Sequence, residues 1–119
     1  MDIETLRLHC LAKPGTTEGF PFDEQTLVFK VLGKMFALIG LDDPTSVNLK
    51  CEPAYGLELR ARHPEVQPGY HMNKQHWITV SFLGTLSDAF LLQLVDHSYA
   101  RVVAGLPKKQ QAELLAQQG

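Results

Sequence analysis

Cysteine occurs only twice in the 119 residues, at Cys10 and Cys51. Two isolated thiols make neither a disulfide framework nor a Cys-rich metal site, so both read as reduced, packed side chains of a cytosolic protein. No stretch approaches the roughly 18 apolar residues of a membrane span. The start, MDIETLRLHC, carries acid where an export signal needs basic residues. GLDDPTS and GKMFALIG lack the spacing of a phosphate-binding glycine loop. Repeats and low-complexity tracts are missing too. So is an excess of positive charge: the net charge is −2 and the isoelectric point about 6.2, which on the total speaks against a dedicated nucleic-acid binder. The distribution of charge can override the total. It is uneven, with no Asp or Glu between Glu24 and Asp42 or between Glu65 and Asp88.

What is present suits one globular domain spanning 1–119: 45% hydrophobic and 20% charged residues, in a length that can bury a core unaided. Asp2 can cap a helix whose Ile3, Leu6, Cys10 and Leu11 share a face, and Pro14-Gly15 ends it. TTEGFPFDEQ reads as a loop anchored by Phe20 and Phe22. TLVFKVLGKMFALIG reads as a hairpin turning at Leu32-Gly33, which places Phe29 opposite Phe36. SVNLKC is a third strand. A helix from Pro53 stops before Pro64. EVQPGYHMNKQ reads as a loop, and HWITVSF as a strand with Trp77, Thr79 and Ser81 on one face and Ile78, Val80 and Phe82 on the other. The clearest helix follows Ser87, with Leu91, Leu94, Val95, Ser98, Val102 and Val103 on one side. Gly105 ends it, and Pro107 opens a final polar helix. The predicted order is α-β-β-β-α-β-α-α: an α+β domain, its antiparallel sheet packed by helices on one face.

Chemistry concentrates in PGYHMNKQHWITV, residues 68–80, which holds two His, a Lys, an Asn, a Tyr and the single Trp. His71 and His76 are five apart and have no carboxylate near them in sequence, so the expectation is no metal and no cofactor. Asp96, His97 and Ser98 are consecutive, and neighbours on a helix do not face one another, so no catalytic triad is expected and the protein is read as a non-enzyme. Lys30, Lys34, Lys50, Arg60, Arg62 and Lys74 could form a local positive patch, with Tyr70 and Trp77 available to stack on a ring.

VFKVLGKMFAL, LKCEP and PGYHMNKQHWITV…LVDHSY together resemble the MmcQ/YjbR family of small bacterial proteins, many of them uncharacterised. The likeness runs from AKPGTTEGFPF to GLPKKQQAEL, and PGYHMNK-x-HW is its most specific string. Leu32 departs from the pattern, since many members carry Gly there. The resemblance implies a frataxin-like, double-wing fold and DNA binding. The iron-binding acidic first helix of frataxins does not carry over, because that helix offers only Asp2 and Glu4. Tyr70, His71, Asn73, Lys74, His76 and Trp77 match the family motif. With Lys30 and Lys34 they are the expected nucleic-acid contacts of a cytoplasmic monomer on double-stranded DNA. The alternative is a groove near PGYHMNKQHW that binds a protein or a small molecule. The same string also has a structural reading, in which Pro68 and Gly69 shape a turn, Asn73 and His76 bond the backbone and Trp77 seals the core.

Overall fold

Leu32 and Gly33 both sit at positive φ, 46° and 86°. That backbone matches the right-handed twist of two strands joined by a two-residue turn. In this computed structural model, which describes residues 1–69 and 72–118 (for Gln118 the backbone only), the turn joins β2 (Thr26–Val31) to β3 (Lys34–Gly40). Val31 pairs with Lys34 and Lys30 with Met35. A bulge then shifts the register, so that Phe29 pairs with Ala37 and not with Phe36. The expected Phe29–Phe36 pair is thereby corrected: Phe36 is the extra residue of the bulge. Both rings are nonetheless fully buried.

The sheet has six antiparallel strands in the order β1-β2-β3-β4-β6-β5. Besides the hairpin it contains β1 (Thr16–Gly19), β4 (Ser46–Lys50), β5 (Val66–Pro68) and β6 (Trp77–Ser81). β1 and β5, which lie in segments expected to be loops, are the two edges. TTEG has no apolar residue and VQP ends in proline, so neither shows a strand pattern. Edge positions tolerate both polarity and proline.

Four helices accompany the sheet among the described residues: α1 (Ile3–Leu11), α2 (Pro53–Arg62), α3 (Asp88–Ala104) and α4 (Lys108–Gln118). Asp2, Glu52 and Ser87 cap the first three, each accepting hydrogen bonds from first-turn amides. Leu6 and Cys10 of α1, Leu59 of α2, Leu91, Leu94, Val95 and Val102 of α3, and Leu114 of α4 share one core with the inward residues of the sheet. Along β4 and β6 those are Val47, Leu49, Ile78 and Val80, and the alternation read from the sequence holds. The other face carries Lys50 beside Trp77 and Asn48 beside Thr79.

Phe20 and Phe22, expected as anchors, are 50% and 63% exposed. Phe22 lines a groove of about 500 Å³ on this second face with Leu38 and Met72. Trp77 is half-buried, where the sequence suggested a core residue. No helix among the described residues is long and apolar enough to cross a membrane.

Candidate functional site: a cationic groove beside Trp77

The charges of this acidic chain segregate along the strands. One end of the sheet gathers Asp23, Glu24, Asp42, Asp43 and Glu65. The 23–25 loop reaches Gly40-Leu41 through a hydrogen bond from Leu41 N–H to the Gln25 carbonyl, and Glu65 lies beside Ser81 at the same end of β6. The opposite end holds Lys34 at the start of β3, Lys50 at the end of β4, and Trp77 at the start of β6. A net charge of −2 therefore coexists with a positive end.

Two adjoining grooves open there. One, of about 460 Å³, is lined by Lys50, Asn73, His76, Trp77 and Arg101, with the end of α3 as its floor. The other, of about 350 Å³, adds Lys34 and Met35. They share Lys50, Trp77 and Gly105. Among the described residues, no acid lines either groove. Among the described residues, none of the ion pairs involves Lys34, Lys50, Lys74 or Arg101.

The C-terminus of α3 lies in the wall and would itself attract cations, since a helix end carries roughly half a negative charge. Three full positive charges exceed that several-fold, so the groove stays positive. Glu52 is an opposing group that acts electrostatically on Arg101 and His97. Its carboxyl is held below the ordinary range by the Tyr55 and Ala54 amides of the α2 cap, with Arg101 adding a smaller pull. Both of its oxygens are engaged by that cap.

α3 positions this end through the run Asp96-His97-Ser98-Tyr99, and each side chain is tied to a different partner. Ser98 is fully buried. Its hydroxyl donates to the Phe36 carbonyl and accepts from the Lys50 amide at 2.8 Å. Continuing the β3–β4 register beyond Ala37–Leu49 would pair Phe36 with Lys50 directly. The Ser98 oxygen stands in for that missing rung, and so fixes the backbone from which the Lys50 side chain projects. His97 Nε2 accepts from the Glu52 amide. Burial, aided by Arg101 and opposed by Glu52, lowers the His97 pKa, so the ring is neutral near pH 7. Burial pushes the Asp96 carboxyl up, but Lys13 and His9 beside it outweigh this and leave it below its ordinary value. Tyr99 donates to the Pro14 carbonyl and meets the Phe36 ring edge-on. The row is a set of structural ties and makes no nucleophile–base pair.

The loop before β6 is built by its backbone. Asn73 accepts the Gln75 amide on its side chain and the His76 and Trp77 amides on its carbonyl. Gly69 donates to the Trp77 carbonyl, and a Cβ there would lie 2.7 Å from the Trp77 Cβ, which only glycine avoids. Asn73 and Gly69 thus fulfil the structural reading of the motif, while Trp77 and His76 face the groove.

Lys74 is exposed on the loop between Asn73 and His76. Lys30 lies apart, in a separate groove with Thr17, Glu18 and Phe20. Tyr70 and His71 fall outside the described residues. Arg101 was missed by the sequence reading. Its signal, a basic residue in the last turn of α3, was visible but indistinguishable from an ordinary helix-end cation.

Burial raises the Cys10 thiol to about 12 and the Cys51 thiol to about 11, so neither is a poised nucleophile. Cys51 precedes α2, but burial outweighs any lowering by the helix start. Among the described residues, no three His, Cys, Asp or Glu side chains converge to hold a metal.

Fold and site together define a small α+β domain, its sheet covered by helices on one face and ending in a cationic groove. The YjbR family model matches residues 11–101, and the chain belongs to that family. It is 36% identical over 116 residues to the uncharacterized protein YjbR of Escherichia coli K12, covering 97% of this chain and 98% of that one. It is 38% identical over 109 residues to the uncharacterized protein YbdF of Escherichia coli O157:H7, covering 91% and 89%. The crystal structure of Deinococcus radiodurans protein DR2400, with a DUF419 domain, superposes with a TM-score of 0.88 at 42% identity, over 95% of this chain and 87% of that one. A Pseudomonas syringae protein superposes at 0.68 with 28% identity, over 82% and 96%.

Proposed function

We propose that this is a non-enzymatic, cytoplasmic, monomeric binding protein that holds the phosphate backbone of double-stranded DNA on the cationic end of its sheet. One observation carries the reading: Lys34, Lys50 and Arg101 line adjoining grooves around Trp77 with no acid in the walls. Lys74 extends the same end from the loop between Asn73 and His76. Such contacts give position and affinity without sequence choice. The non-enzymatic part is supported by the structural use of Asp96, His97 and Ser98 and by the raised cysteine pKa values.

Duplex affinity measured across a salt series tests the reading. Each phosphate neutralised contributes about −0.9 to the slope of log affinity against log salt. The four cations predict a slope between about −2 and −4. Lys50→Ala or Lys74→Ala should each reduce its magnitude by about one and weaken all duplexes by a similar factor. No binding at low salt defeats the proposal. Binding indifferent to salt would instead mark an apolar partner.

A further inference from the structure

We propose that the larger groove is a discrete pocket for a single nucleoside 5′-phosphate, with the phosphate on Arg101 and Lys50 and the planar base against Trp77. This rests on the phosphate-binding reading above and specifies its ligand, but it does not require a duplex. A backbone contact needs only an exposed cation. Here the cations line a concavity of about 460 Å³, joined to a second of about 350 Å³, within the roughly 300–1,000 Å³ range of small-molecule sites.

Arg101 gives a second, independent indication. Its Nε has no hydrogen-bond acceptor among the described residues and is shielded from solvent while the residue itself is half-buried, so a phosphate meets the exposed part of the guanidinium and reaches Nε only when the side chain turns into the groove. Buried donors are almost always paired, and an unpaired one in a native protein calls for an explanation. The guanidinium fork matches two oxygens of a phosphate at once, which a lysine does not. Glu52, whose charge acts on Arg101, gives its two oxygens to the Ala54 and Tyr55 amides of the α2 cap, and among the described residues no hydrogen bond or ion pair joins it to the guanidinium.

The rest of the lining fits the remainder of such a ligand. Trp77 lines both grooves and stands beside Lys50 across the β4–β6 pair, so a ring stacked on the indole keeps its phosphate within reach of that lysine. Asn73 uses its side-chain oxygen on the Gln75 amide, and its NH₂ group, which bonds none of the described residues, can meet an acceptor on the base or sugar. His76 adds a second polar edge to the same wall.

Trp77 is the only tryptophan, so its fluorescence reports the pocket directly. The experiment titrates the full chain with adenosine 5′-monophosphate, inorganic phosphate, adenosine and a short DNA duplex. The proposal expects saturable quenching by the nucleotide, with affinity at least about ten-fold above both phosphate and adenosine, since stacking and phosphate contacts each contribute. Arg101→Met should weaken the nucleotide by about ten-fold or more, with thermal unfolding unchanged, and Arg101→Lys should recover only part of the loss. Lys50→Ala gives an independent variant if either Arg101 change unsettles α3. Equal affinity for nucleotide and inorganic phosphate, or no saturation up to about 10 mM, overturns the pocket. Duplex binding with a silent nucleotide defeats this inference and leaves the backbone reading standing. Nucleotide binding with a silent duplex does the reverse.

Discussion

Replacing Ser98 by alanine removes one oxygen and leaves two backbone groups without partners. The hydroxyl donates to the Phe36 carbonyl and accepts the Lys50 amide, in a site with no exposure to solvent. Alanine fills nearly the same volume, so the cavity term is small and the hydrogen-bond term dominates. A buried polar group stripped of its partner costs about 1–3 kcal/mol. Two such groups, with some relief if β3 and β4 close toward each other, set the expected loss at about 2–4 kcal/mol. That is a large share of a stability of about 5–15 kcal/mol. Urea unfolding followed by circular dichroism reads it as a lower midpoint at unchanged slope. Ser98→Thr keeps the oxygen and adds a methyl group; it separates loss of the rung from disturbance of packing. If Ser98→Ala costs less than about 0.5 kcal/mol, the hydroxyl is not completing the β3–β4 ladder and the positioning of Lys50 needs another cause.

Other outcomes follow from the same contacts. Phe36→Ala, at a fully buried ring, should cost about 3–5 kcal/mol by the same unfolding assay. Gly56→Ala should stabilise α2 by up to about 1 kcal/mol, because a Cβ there meets Ile78 and Cys51 only at ordinary contact distances of 3.6 and 3.7 Å. For pH, the His97 pKa is lower folded than unfolded, so the unfolded chain binds its proton first as pH falls. His97 should therefore contribute stability that is fully present above about pH 6.5 and lost progressively below it. Unfolding between pH 7.5 and 5.5 should show that loss in the wild type and a flatter profile in His97→Gln, whose amide oxygen can still accept from Glu52.

Most of the fold is legible in the chain because most elements advertise a period or a cap. Asp2, Ser87 and Pro53 mark helix starts, and the Ile78/Val80 alternation marks a central strand. The edge strands were hidden because TTEG has no apolar residue, and VQP, three residues long and closed by proline, offers a single buried Val66 and no alternation. The Phe29–Phe36 pairing failed because the bulge inserts one extra residue between Lys30–Met35 and Phe29–Ala37, which spacing alone does not encode. For the candidate site, the acid-free stretches and the motif pointed to Lys34, Asn73, His76 and Trp77, and the fold brings these four to one end of the sheet. Lys30 was grouped with Lys34 by proximity in sequence, but the alternation of β2 sends it to a different groove. Arg101 enters only through the packing of α3, about 24 residues beyond Trp77, and nothing local announces the meeting.

The central claim is that the positive end of the sheet is where a phosphate-bearing partner sits. The most direct measurement is an amide and indole NMR titration with a short duplex at low salt, mapped residue by residue. The account predicts shifts confined to Lys34, Lys50, Asn73 through Trp77, and Arg101 through Gly105, with the Trp77 indole signal among those that move most and the Asp42-Asp43 end silent. Shifts centred on Phe20, Phe22 and Lys30, or no shifts at saturating duplex, would contradict it.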